Sequence, residues 1–458
     1  MTWENRAARD DGEHMAEAPT IFALSSAPGR AGVAVVRVSG PWAGDVIDAL
    51  APPRPKKRMA ALRRIRDPAS GETLDEGLVL WFAAPRSETG EDMAEFQLHG
   101  GPAILKALLA ALGKQPGCRL AEPGEFASRA FANGKIDLAE AEGLADLIDA
   151  ETDAQRRQAL SQMGGALSEL YEGWRTDLIR ASALVEAVID FSDEADVASE
   201  AFGLARGIVG GLQEAIAHYL DDGNRGEILR EGFRVVLAGA PNVGKSSLLN
   251  ALARREAAIV SEEAGTTRDV IEVRLDLGGY PVIVSDTAGI REPQGSIERE
   301  GIRRTLAHAR EADLVVWLSD ASAADAAPPP PELAARGDKF LLIASNKTDV
   351  PSARVAPGAM AVSAKSGAGI EALTRRLEDI ARDRIGVSAS PAITRARYRH
   401  QLQACLLDLQ AFLGGVSSDF ELRAEDLRQA AHALGRITGR VDVEDVLGEI
   451  FSRFCIGK

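Results

Sequence analysis

Gly239-Ala-Pro-Asn-Val-Gly244-Lys245-Ser246 falls between a strand-like run, FRVVLAG, and a helix-like run, SSLLNALARR. A strand, a glycine-rich turn ending in Gly-Lys-Ser and then a helix is the feature that most narrows what this chain can fold into. The glycines let the backbone curl until several N–H groups point at one anion, and the helix N-terminus adds its dipole. Lys245 supplies a point charge for the outer phosphates, and the Ser246 hydroxyl suits Mg²⁺. A plain Gly-rich turn would explain the glycines but not the strand, the helix and the Gly-Lys-Ser ending together.

The phosphate cradle does not choose a base. Asn346-Lys347-Thr348-Asp349 does, because it follows the strand-like KFLLIAS. A carboxylate at Asp349 accepts both N–H donors of the guanine edge. Adenine lacks that pair and would leave the carboxylate unsatisfied, at a cost of several kcal/mol. Ser363-Ala364-Lys365, after the next apolar run, can close over the base. Asp286-Thr287-Ala288-Gly289 ends another strand, where Asp286 can hold the magnesium's water shell and the Gly289 N–H can meet the γ-phosphate. Thr267, in Gly265-Thr266-Thr267, can become a second magnesium ligand. These elements, in this order, define a GTPase domain.

Around them the chain has 458 residues, which predicts about three domains. Residues 1 to 18 are polar and acidic and read as a flexible tail, with Met15 as a candidate start. Residues 19 to 135 mix strand-like GVAVVRVSG, GLVLWFAA and AEFQLHGG with helix-like PAILKALLAALGK, an α+β pattern. Residues 136 to 230 keep apolar residues at three- and four-residue spacing, as amphipathic helices do. Residues 231 to 385 alternate short apolar runs with helical stretches, which predicts a parallel sheet wrapped by helices, with a stiff loop at Pro328 to Pro331. Residues 386 to 458 are helical again. The central α/β unit therefore reads as an insertion into a discontinuous helical domain.

Hydrophobic residues at 45% and charged residues at 26% exclude wholesale disorder. The net charge of -15 repels phosphate backbones on average, so nucleic-acid contact needs a local patch or a partner. The run Arg54, Lys56, Lys57, Arg58, Arg63, Arg64, Arg66 is one candidate patch, although such runs are usually solvated faces. Cys118, Cys405 and Cys455 show no metal-ligand spacing, which fits a reducing cytosol. No apolar run reaches the roughly 18 residues of a membrane span.

Hydrolysis needs a group to orient water. Many GTPases place Gln directly after the DxxG element. Here that position is Ile290, which cannot hydrogen-bond water. Glu298 is the nearest carboxylate with a plausible reach, with Glu292 and Glu300 as competitors. Asn242 offers a neutral oxygen beside the phosphates. It suits a large monovalent cation better than Mg²⁺, or else it stabilises the turn alone.

The strings APNVGKSSLLNALARREAAIVSEEAGTTRD and DTAGIRE, with the terminal Cys455-Ile456-Gly457-Lys458, resemble the MnmE (TrmE) family of tRNA modification GTPases over about Thr20 to Lys458. The resemblance implies a folate-binding N-terminal α+β domain, a discontinuous all-α domain and an inserted G domain. It implies a cytoplasmic homodimer and G-domain pairing that depends on K⁺. It also implies an FAD-containing MnmG-type partner in a heterotetramer, and modification of carbon 5 of the wobble uridine in certain tRNAs. The one-carbon donor would be 5-formyltetrahydrofolate or a related folate.

By the same resemblance, GTP meets Asn242, Val243, Gly244, Lys245, Ser246 and Ser247, then Ser261, Glu262, Glu263, Ala264, Gly265, Thr266 and Thr267. It also meets Asp286, Thr287, Ala288 and Gly289, then Asn346, Lys347, Thr348, Asp349, Ser363, Ala364 and Lys365. Mg²⁺ falls to Ser246 and Thr267. K⁺ falls to Asn242, Ser261, Glu263 and Thr266, mainly through backbone for the last three. Glu298 and Lys245 serve catalysis. Arg37, Glu95, Lys135 and Lys458 fall to folate. Cys455 belongs to the family's modification function without a derivable role. A rival class, a ribosome-assembly or signalling switch, shares the G domain but lacks a use for the N-terminal domain and the CIGK tail.

Overall fold

The computed structural model describes residues 19–191, 195–255, 271–286, 311–323, 328–335, 337, 340–386, 391–415, 419–441, 444–452, 454, 456 and 457. The proposed tail, Met15 included, lies outside them. The chain forms two compact units, residues 1–141 with 442–458, and residues 142–441.

The first unit is a six-stranded sheet with helices. β1 (Thr20–Leu24), β2 (Ala31–Ser39), β3 (Ala61–Arg66), β4 (Thr73–Phe82), β5 (Met93–Gly100) and β6 (Cys118–Leu120) lie in the order β3-β4-β5-β2-β1-β6. Period-two burial on β2 and β5 sends Val36, Val38, Phe96 and Leu98 inward. They pack on Val46, Ile47 and Leu50 of α1 (Ala43–Leu50) and on Leu105, Leu108 and Leu112 of α2 (Pro102–Gly113). Each such side chain contributes about 1.5–3 kcal/mol. The opposite positions of β2 and β5 carry Arg37 and Glu95, which are register partners.

α3 (Glu125–Ala132) and α13 (Glu444–Ser452) also belong to this unit. The terminal residues stay with it. Ile456 bridges Pro123, and the Ser25 hydroxyl donates to the Gly457 carbonyl at 2.8 Å. Gly457 sits at φ +99°, and a Cβ there would come within 2.2 Å of the Leu24 carbonyl oxygen, so only glycine fits.

The second unit holds the inserted sheet and a helical bundle. α4 (Leu138–Ile148) is followed by α5 (Asp153–Met163), and α8 (Arg225–Glu231) precedes the insertion. In the bundle α6 (Ala166–Asp190) packs on α7 (Ala195–Leu220), α7 on α11 (Ala396–Gly414), α11 on α12 (Phe420–Thr438) and α12 on α6. Stretches before and after the insertion thus share one four-helix bundle. Buried polar contacts tie them together. Arg397 chelates Glu142 through Nε and Nη2, at 3.0 and 2.5 Å, Tyr398 also donates to Glu142, and Arg395 pairs with Asp146 at 2.8 Å. Removing one partner of such a buried pair costs about 3–5 kcal/mol.

The insertion's sheet comprises β7 (Phe233–Gly239), β8 (Ile271–Leu277), β9 (Tyr280–Asp286), β10 (Leu314–Asp320), β11 (Leu341–Asn346) and β12 (Met360–Ala361) in the order β12-β11-β10-β7-β9-β8. The expected parallel pairing holds for β7, β9, β10, β11 and β12. β8 differs, being antiparallel to β9. Its two-residue turn, Gly278 at φ +61° and Gly279 at φ +90°, has the left-handed pair a tight hairpin demands. α9 (Lys245–Arg255) and α10 (Ile370–Ile385) cover the sheet through Leu248, Leu249, Leu252, Leu373 and Leu377.

Candidate nucleotide site

The sheet ends gather the site. β7 runs into the Gly239–Ser246 turn, β9 ends at Asp286, and β11 ends at Asn346. Ligands bind outside the carboxyl ends of parallel strands in such sheets. A Cβ on Gly239 would come within 2.3 Å of the Leu318 carbonyl oxygen, and one on Gly244 within 2.4 Å of Asn346 Nδ2. These two glycines let the turn sit against β10 and against the base loop at once. Asn242 takes the left-handed region at φ +63°, a conformation asparagine tolerates better than most residues.

Lys245 is buried and donates to the carbonyls of Gly239 and Ala240, both at 3.0 Å. Burial pulls its ammonium below the usual lysine value, while the nearby Asp286 carboxylate opposes that shift. The Ser246 hydroxyl lies 2.5 Å from Asp286 Oδ2. A hydroxyl beside a carboxylate at the phosphate cradle is a hard-oxygen pair, which fits Mg²⁺.

The base loop is tied by short contacts. Asn346 Nδ2 donates to the Val243 carbonyl at 2.8 Å, and its Oδ1 accepts from the Ala364 N–H at 3.0 Å. One buried amide therefore joins the phosphate turn to the Ser363-Ala364-Lys365 loop. The Thr348 hydroxyl donates to the Val362 carbonyl at 2.9 Å, and the Ser363 hydroxyl donates to Asp349 Oδ1 at 2.7 Å. That last bond, helped by backbone N–H, holds the Asp349 carboxyl below its usual range although the group is exposed. Lys347 reaches Asp320 Oδ2 at 2.6 Å. Asp320 carries no motif of its own. Its only signal is an acidic residue ending the strand beside the one that carries the base motif.

Ser261, Glu262, Glu263, Ala264, Gly265, Thr266, Thr267, Thr287, Ala288, Gly289 and Glu298, with Glu292 and Glu300, lie outside the described residues, as do Cys455 and Lys458.

In the first unit Arg37 Nε meets Glu95 Oε1 at 3.1 Å, and Arg37 Nη1 meets Glu88 at 2.8 Å. The stem of Lys135 runs beside Gly90, its Cε 3.1 Å from where a Cβ would stand. The loop at 88–91 thus links Arg37 and Lys135. Ser39 donates to Glu91 at 2.7 Å, and Arg129 pairs with Glu91 at 3.0 Å, so the loop is braced from below. Glu88, Glu91 and Arg129 carry no motif that sequence inspection could have caught.

The basic run is largely engaged at home. Arg54 pairs with Asp48 at 2.6 Å and stacks on Trp81, Arg58 donates to the Arg86 carbonyl, and Arg63 donates to the Pro53 carbonyl. Burial pushes the Cys405 thiol up to about 12 and the half-buried Cys118 thiol upward, which suits neither for nucleophilic work. Among the described residues no helix is long and apolar enough to cross a membrane.

Comparison with known proteins fits this geometry. The MnmE helical domain profile matches residues 138–455, and that of the GTP-binding protein TrmE N-terminus matches residues 20–135. Three curated proteins named tRNA modification GTPase MnmE are similar along nearly the whole chain. The one from Maricaulis maris is 52% identical over 96% of this chain and 99% of its own length. The Parvibaculum lavamentivorans protein is 52% identical over 96% and 100%, and the Rhodospirillum rubrum protein 51% over 96% and 99%. Two profiles and half-identical relatives of full length agree with the site built above: the chain belongs to the MnmE family of tRNA modification GTPases.

Proposed function

We propose that this protein hydrolyses GTP in the course of modifying tRNA. The observation that carries this is the joined base clamp, in which Asn346 bonds both the phosphate turn and the Ala364 N–H while Ser363 orients Asp349. Hydrolysis attaches a water oxygen to the γ-phosphorus and breaks its bond to the β–γ bridging oxygen, leaving GDP and phosphate. Lys245 stabilises charge on the outer phosphates. Ser246 and Thr267 would hold Mg²⁺, with the Asp286 carboxylate beside it. Asn242, with backbone of Ser261, Glu263 and Thr266, would hold K⁺, and Glu298 would orient the water. The two cations would neutralise charge that develops on the phosphates.

The wider function rests on family membership. The homodimer acts in the cytoplasm with an FAD-containing MnmG-type partner on carbon 5 of the wobble uridine of tRNA. Arg37, Glu95, Lys135 and Lys458 bind the tetrahydrofolate one-carbon donor. The ion pair of Arg37 with Glu95 and the neighbourhood of Lys135 support that placement.

The test is GTP turnover in KCl against NaCl, with wild type and Asn242→Ala. Faster turnover in KCl, lost in the variant with GDP affinity retained, is expected. Turnover indifferent to the cation would remove the potassium role. Binding of 5-formyltetrahydrofolate separates this function from a GTPase switch, which would hydrolyse GTP and ignore the folate.

A further inference from the structure

We propose that Asp320 is a positioning residue for nucleotide binding: it anchors Lys347 so that the lysine stem forms one wall of the guanine slot. This rests on the guanine assignment above.

Asp320 ends β10 and Asn346 ends β11, and the two are register partners on neighbouring parallel strands. Lys347 is the next residue. Its φ of +66° lies in the left-handed region, which is unfavourable for a residue with a Cβ. Such strain persists only where the surroundings hold it, and it concentrates at functional sites. From there Lys347 Nζ reaches Asp320 Oδ2 at 2.6 Å. The other carboxylate oxygen accepts from the Ser322 N–H at 2.9 Å and the Ser322 hydroxyl at 2.6 Å. Both oxygens are committed, so the carboxylate cannot swing away. Burial works against its charge, but the Lys347 and Ser322 donors outweigh that and keep its carboxyl below the usual range.

Stability does not explain the arrangement. A partly exposed lysine–carboxylate pair adds little stability, no more than the backbone strain beside it removes. β10 and β11 are already paired over six positions, Val315 to Asp320. A ligand does explain it. A flat base whose edge meets Asp349 must rest its face on something nearby. Two residues earlier, fixed at both ends, lies a half-exposed run of methylenes that carries a cation.

A wall touches the face of a base and not its edge. Losing the anchor should therefore weaken every purine of the same outline alike, whereas Asp349 reads the edge. The experiment uses full-length Asp320→Asn, Lys347→Ala and the double variant, titrated with GDP and IDP and assayed for GTP turnover. We expect both dissociation constants and KM to rise together by about five- to tenfold in Asp320→Asn, with kcat at saturating GTP retained. The double variant should be no weaker than Lys347→Ala alone, because both changes remove one wall. Asp320→Glu should recover part of the affinity.

GDP affinity within twofold of wild type in Asp320→Asn overturns the proposal. So does a loss confined to GDP, or additive losses in the double variant. A wild-type protein that binds no GDP at all overturns the guanine assignment, and the role of Asp320 falls with it. Should Asp320→Asn not fold, the GDP-to-IDP comparison in Lys347→Ala decides: equal losses support the wall, unequal losses refute it.

Discussion

The nucleotide loops of the inserted sheet and the charged face of the N-terminal sheet are built by opposite means. The first is made of backbone. Turns at Gly239 and Gly244 and a left-handed Asn242 follow strand ends, and one amide, Asn346, clips two loops together. The second is made of side chains. Arg37, Glu88 and Glu95 meet across strands and a loop, with Glu91, Ser39 and Arg129 behind them. A backbone-built site needs particular residue types at fixed spacing. A side-chain site on a sheet needs only that charged residues alternate with apolar ones, which surface strands do anyway.

Four substitutions put pressure on that contrast. The largest effect is expected from Glu298→Ala, which should lower GTP turnover by about 10²–10⁴ while GDP affinity stays, read by steady-state kinetics and titration. A normal rate would move the water-orienting role to Glu292 or Glu300. Next, Asp349→Asn should cost about 10² in preference for GTP and shift it towards xanthosine triphosphate, because an acceptor pair becomes a donor and an acceptor. Retained GTP preference would place base reading elsewhere. Arg37→Ala should weaken 5-formyltetrahydrofolate by about tenfold, the loss of one charge-assisted contact, and leave GTP turnover alone. A GTPase defect in that variant would erase the independence of the two regions. Smallest is Ser25→Ala, which removes one hydrogen bond to the tail. About 1 kcal/mol or less of stability should go, seen as a slight fall in melting temperature.

The same contrast explains what the sequence made legible. Gly-Lys-Ser and Asn-Lys-Thr-Asp announced their positions because turn geometry dictates their residues, and β2, β4, β5, β7, β9, β10, β11 and α2 follow apolar runs that stand out. β8 did not, because it alternates Val273, Leu275 and Leu277 with charged residues and offers no continuous apolar run, while its direction is set by the Gly278-Gly279 turn. The docking of residues 442–458 with the first unit also escaped. Its helix reads like those of the bundle, and long-range contacts decide its place: Phe451 against Phe131, the Pro123–Ile456 bridge and the seat of Gly457. Arg37, Glu95 and Lys135 came from resemblance alone. Their pairing depends on strand order β5-β2, which local sequence does not encode.

On the proposed function, the loops at the strand ends form a slot that selects guanine. Calorimetric titration of nucleotide-free protein with GDP, ADP and XDP tests it most directly, in wild type and Asp349→Asn. Wild type should bind GDP and show no saturable ADP binding, and the variant should exchange GDP for XDP. Equal affinity for GDP and ADP in the wild type, or undiminished GDP binding in the variant, would contradict it.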